Sequence, residues 1–164
     1  MGSHMHEAEI VSWYTGSGYE ITLKELKNQL EKHISDNGKL FIGCDSFLTS
    51  NKCVFANAIC LHGADSQAGG RYFWYRRNIR AVKYKNLSLR MFQEAYNSLG
   101  IALWVIEAFP DAIIEIHIDI SSEPGNKSFK YKDALSGMVK GAGFECKTKP
   151  DAWAANAIAD KHSK

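Results

Sequence analysis

The chain has 164 residues, 45% of them hydrophobic and 23% charged, and its 20 Lys and Arg against 18 Asp and Glu leave a formal charge of +2. This balance excludes a wholly basic histone-like protein and an acidic disordered tail, and no apolar run approaches the roughly 18 residues of a membrane span. The length suits one domain with a sizeable core.

The opening Met1-Gly2-Ser3-His4-Met5 reads as an expression-tag remnant, which leaves residues 6–164 as a single domain. Cytoplasmic placement is the expectation, since no secretory signal is read. Cys44, Cys53, Cys60 and Cys146 are widely spaced and form no Cys-x-x-Cys pair, so reduced, buried thiols are expected rather than a zinc site.

Residues 6–20 are mixed in character and read as an arm or loop. A helix follows, with Thr22 and Glu25 at capping-box spacing and Leu23, Leu26, Leu30 and Ile34 on one stripe. Asp36-Asn37-Gly38 stops it. Residues 39–47 form an apolar run read as a central strand. Residues 53–62 and 71–80 are the second and third strands, and their short connections predict an antiparallel meander. Residues 87–109 switch to helical period, with Pro110 as the stop. In 113–120, Ile114, Ile116, Ile118 and Ile120 alternate with Glu115, His117 and Asp119, which predicts a fourth strand. A helix over 127–140, a short fifth strand over 144–148 and an Ala-rich helix from Asp151 to about Lys161 complete the chain. The predicted class is α/β: a five-stranded mixed sheet with helices on both faces and an extra N-terminal helix.

Four carboxylates stand out. Asp45 ends the first strand and Asp119 the fourth; on parallel neighbours about 4.8 Å apart, they converge at the carboxyl edge of the sheet. Glu94 lies in the second turn of the long helix, and Asp151 opens the last. Such hard oxygen ligands suit Mg²⁺ or Mn²⁺, and two ions about 3.5–4 Å apart can clamp a phosphodiester. Each acid also has an ordinary reading: Asp119 as a strand-end cap, Asp151 as a partner of the helix dipole, Glu94 as a surface residue. Glu107 stands about 20 Å from Glu94 along the helix, so only one of them joins a cluster, and Asp160 lies opposite Asp151 on a regular helix. His117 shares a strand face with Asp119 and reads either as a proton relay beside the acids or as a satisfied sheet histidine.

Between Gln67 and Gln93 the sequence has no acid, while Arg71, Arg76, Arg77, Arg80, Lys83, Lys85 and Arg90 alternate with Tyr72, Phe73, Trp74, Tyr75 and Tyr84. Cations for phosphates and rings for bases are the components of nucleic-acid binding. An edge strand protected by charge, with its rings in the core, is the other reading. The loop 122–128 resembles a phosphate loop but lacks its spacing, because Asn126 separates Gly125 from Lys127. Phosphate at this helix start, assisted by Lys127, and ordinary turn chemistry both remain open.

Ile42-Gly43-Cys44-Asp45-Ser46, His117-Ile118-Asp119-Ile120, Gly125-Asn126-Lys127-Ser128 and Lys149-Pro150-Asp151 with the Ala-rich helix resemble the YkuK-like family of bacteria and phages. That family is a branch of the ribonuclease-H-like superfamily, and the resemblance spans about residues 13–164. It implies the strand order 3-2-1-4-5, with the five predicted strands numbered along the chain. It also implies Asp45, Glu94, Asp119 and Asp151 as metal-holding catalytic acids, Ser46 and His117 as their supports, and two Mg²⁺ or Mn²⁺ ions. The terminal helix is similar to that of Holliday-junction resolvases, where an acid sits one turn further in; here Ala154 and Asn156 occupy that region.

The function expected is a metal-dependent nuclease acting on RNA, DNA or a hybrid, as a monomer or homodimer, with no membrane partner. Arg71, Arg76, Arg77, Arg80, Lys83, Lys85, Asn126 and Lys127 are the expected nucleic-acid contacts. The alternative is a non-catalytic nucleic-acid-binding module on the same fold.

Overall fold

The computed structural model describes residues 5–163; residues 1–4, Lys164 and the side chains of Asn156, Ala157, Asp160 and Ser163 lie outside it, and with them the placement of the Asp160 carboxylate. A short 3-10 turn at Glu7–Glu9 leads into β1 (Trp13–Thr15) and β2 (Glu20–Ile21). Helix α1 (Leu23–Ser35) begins where expected, with the Thr22 hydroxyl accepting from the Glu25 amide at 3.1 Å. It ends at Ser35 with Asp36 as its cap, and Asn37, at a φ of 64°, turns the chain. The meander is β3 (Lys39–Leu48), β4 (Lys52–His62) and β5 (Arg71–Arg80), followed by α2 (Leu87–Ala108), β6 (Ile113–His117), α3 (Lys132–Gly141) and β7 (Glu145–Lys147). The chain closes with a π-helical stretch, Ala154–Ala159, and α4 (Asp160–Ser163).

The sheet is mixed, in the order β2-β1-β5-β4-β3-β6-β7. The five predicted strands hold consecutive places, but the sheet has seven strands rather than five. The segment read as an arm supplies the other two, because Tyr14 and Thr15 pair with Trp74 and Phe73 of β5. Two boundaries and the form of one helix also differ from the sequence reading. The fourth strand stops at His117, because the Ile120 amide turns back to the Ile118 carbonyl at 2.8 Å and closes a tight turn there. The third helix starts at Lys132 rather than 127, because Asn126 Oδ1 accepts from the Ser128 amide at 2.9 Å and fixes a turn there. The Ala-rich helix takes the rare i→i+5 form over Ala154–Ala159 rather than a regular α-helical one.

The two faces of the sheet are covered differently. One carries the main core, where Leu40, Ile42, Ile59 and Leu61 meet Leu30 of α1 and Ile101, Ala102 and Val105 of α2. The other carries a thinner layer in which Ala58 and Cys60 meet Ala154 and Ala159 of the terminal helix. Gly43 sits beneath that helix so closely that a Cβ there would lie 2.4 Å from the Ala155 amide nitrogen. All four cysteines are free; Cys44, Cys53 and Cys60 are buried and Cys146 half-buried, and burial pushes Cys60 up to about 12. No helix among the described residues is long and apolar enough to cross a membrane.

Candidate active site

Parallel pairing sets Gly43 of β3 beside His117 of β6. Asp45 and Asp119 each lie two residues further along, at the carboxyl edge of the sheet, as the spacing predicts. Glu94, one turn and more into α2, reaches the same edge: its Oε2 accepts from the Ser46 amide at 2.9 Å and from the Ser46 hydroxyl. Burial, with the charges of Asp45 and Asp119 adding to it, pushes Glu94 up to about 8 despite the Ser46 hydrogen bonds. Glu94 therefore lies within electrostatic reach of both Asp45 and Asp119. Asp45 is 8% exposed, so its charge is largely shielded from water.

Asp119 has a different neighbour. Its Oδ1 is buried and accepts no aligned hydrogen bond, while the Lys149 ammonium stands 3.0 Å away at ion-pair distance. Sequence reasoning did not single out Lys149, which becomes a neighbour only through the loop after β7. Asp151 lies two residues on, exposed in the bend before the terminal helix, and its charge is felt at His117.

His117 belongs to the scaffold of this edge. It is buried against Phe41 and Trp153, its Nε2 lies 2.8 Å from Glu115 Oε1, and its Nδ1 accepts from the Ala154 amide at 3.0 Å. A neutral ring with hydrogen on Nε2 satisfies both contacts. Burial lowers its pKa, against the opposing pull of Glu115. Burial raises that of Glu115, but the hydrogen bond from His117 and the charge of Lys39 outweigh it and leave it lowered. His117 thus pins the start of the terminal helix.

The basic stretch is divided rather than continuous. Arg71 and Arg80 stand at opposite ends of β5, about 30 Å apart by strand rise. Arg77 turns to the main-core face and pairs with Glu7 at 3.3 Å. Arg76 faces the other way, in register with Ala56 and, through it, Asp45; its Nη1 donates to the His162 carbonyl. Arg80 and the exposed Lys83 and Lys85 follow at the acid edge, leading into the start of α2. There Leu87 shares a shallow cavity of about 510 Å³ with Asn126, Lys127 and Lys130. The rings read as base-stacking surfaces are engaged within the protein. Phe73 and Tyr75 are in the main core, Trp74 stacks between Tyr14 and His162, the Tyr72 hydroxyl meets His162, and Tyr84 packs on Phe55. The Asn126 side chain is likewise spent on its own turn.

A family model described as Ribonuclease H-like matches residues 21–164. The chain belongs to the ribonuclease H-like family, in its YkuK-like branch. No curated protein and no solved structure matches it. The ribonuclease H-like match covers every element from α1 onward and includes Asp45, Glu94, Asp119 and Asp151.

The donor set fits a hard divalent cation: carboxylate oxygens, one of them, Asp119 Oδ1, buried without a hydrogen bond. Among the described residues no three His, Cys, Asp or Glu side chains are gathered around one point, since Glu94 is turned to Ser46 and Asp119 to Lys149.

Proposed function

We propose that this ribonuclease H-like protein is a Mg²⁺- or Mn²⁺-dependent nuclease that hydrolyses phosphodiester bonds of nucleic acid. The observation that carries the reading is the convergence of Asp45, Glu94 and Asp119 at one sheet edge, with Glu94 within electrostatic reach of the other two. Asp45, Asp119 and Glu94 hold the metal, with Asp151 contributing from the adjacent bend. Two such ions, when bound, supply the charge that activates water and stabilises the leaving oxygen. Ser46 aims Glu94 and, by donating to its Oε2, favours the ionised carboxylate that a cation requires. Arg76, Arg80, Lys83, Lys85 and Lys127 meet phosphates along the path to the acids; Arg71, Arg77 and Asn126 stand outside it. The four free thiols fit a reducing compartment such as the cytoplasm.

Asp45→Asn should abolish cleavage while leaving the fold intact. Full activity of that variant on RNA, DNA or a hybrid would overturn the proposal. A binding module without catalysis is favoured by one observation, the push of Glu94 to about 8, which keeps it protonated at neutral pH in the absence of a cation. Tight, salt-dependent binding with no turnover in Mn²⁺ would identify that alternative.

A further inference from the structure

Lys149 is held beside Asp119 by the backbone. The Ile118 amide donates to the Lys147 carbonyl at 2.9 Å and the Lys149 amide to the Ile120 carbonyl at 3.0 Å, so residues 147–149 run alongside 118–120 past the end of β7. This fixes the lysine stem opposite Asp119. The ammonium is then 3.0 Å from Oδ1, yet not aligned for a hydrogen bond, and the Lys149 side chain is 43% exposed. A misaligned ion pair whose lysine is half-exposed is held weakly, so the ammonium can leave the buried Oδ1 for water or a ligand. A lysine head is a flexible point charge with three donors, well suited to phosphate oxygens.

We propose that Lys149 is a positioning residue that occupies Asp119 until a divalent cation arrives and then moves to a phosphate of the nucleic acid. This rests on the reading of the acid edge as a cation site. Lys149 and the cation compete for one carboxylate, so the cation frees the ammonium for the substrate. Cation and nucleic acid then favour each other's binding, and linkage makes that preference reciprocal. The same competition keeps the acid edge from holding cations tightly without substrate.

The test is a Mn²⁺ titration, read by the electron paramagnetic resonance of free Mn²⁺, on wild type, Lys149→Gln and Lys149→Arg. Loss of a unit charge at this distance should tighten Mn²⁺ binding about tenfold in Lys149→Gln, while Lys149→Arg stays near wild type. The second readout is the salt dependence of binding to short phosphorothioate duplexes of DNA and of RNA. In saturating Mn²⁺, Lys149→Gln should lose roughly 0.7–0.9 from the slope of log K against log salt, the value of one phosphate contact. Without metal its slope should match wild type. Unchanged Mn²⁺ affinity in Lys149→Gln, or the same slope difference with and without metal, would overturn the role of Lys149. Absence of Mn²⁺ binding by wild type would overturn the cation site itself and the lysine proposal with it.

Discussion

The two faces of the sheet are built on different principles. The face beneath α1 and α2 is a broad layer of Leu, Ile and Val, in which each side chain has many neighbours. The face beneath the terminal helix is thin and made of small residues, and it depends on single groups: Gly43 for closeness, His117 for the hydrogen bond to Ala154, His162 for the stack on Trp74. The first face supplies stability. The second supplies placement, because it fixes the bend carrying Lys149 and Asp151 against the end of β6.

The comparison breaks most visibly in the thick core. Ile101→Ala should lower the global unfolding free energy by about 2–5 kcal/mol in a denaturant titration, since Ile101 is fully buried. Gly43→Ala acts on the thin face and should cost less, about 1–3 kcal/mol. Its effect should be local, raising hydrogen exchange over residues 153–163 while β3 and β4 stay protected. Equal deprotection of both faces in Gly43→Ala would dissolve the distinction.

Acidity should separate the faces without mutation. The folded His117 pKa lies below its ordinary 6.5, so the folded state binds fewer protons there than the unfolded state. The stability it contributes is present above pH 6.5 and is lost as pH falls through the folded value. Protection of the Ala154 amide should therefore decline below about pH 6.5, ahead of the main core. Glu94 has the opposite sign. Raised from 4.5 to about 8, it stabilises most at low pH and loses that contribution as pH rises from 4.5 towards 8. Glu94→Gln should flatten this decline, leaving the variant more stable than wild type near pH 8 while it no longer cleaves.

The thick face was also the more legible in sequence. Helical period marked α1 and α2, the Thr22–Glu25 spacing marked a cap, and apolar runs marked β3, β4 and β5. The short strands β1 and β2 were not legible, because three and two residues carry little pattern and gain their form by pairing, β1 with β5 and β2 with β1. On the thin face, composition predicted a helix but not its π form, which accompanies the tight packing over Gly43. The acids at strand ends were legible from position alone. Lys149 was not, since only the loop after β7 carries it to Asp119. The aromatics of β5 misled for a physical reason: alternation along a strand sends half of such rings into the core, and the others were claimed by Tyr14 and His162, distant in sequence.

Where a divalent cation binds is the most direct question to put to the acid edge. A crystal soaked in Mn²⁺ and measured at the manganese absorption edge answers it. The expected result is anomalous density beside both Asp45 and Asp119, absent from the Asp45→Asn variant. Density elsewhere on the molecule, with none at these two carboxylates, would contradict the assignment of this edge as a metal-dependent active site.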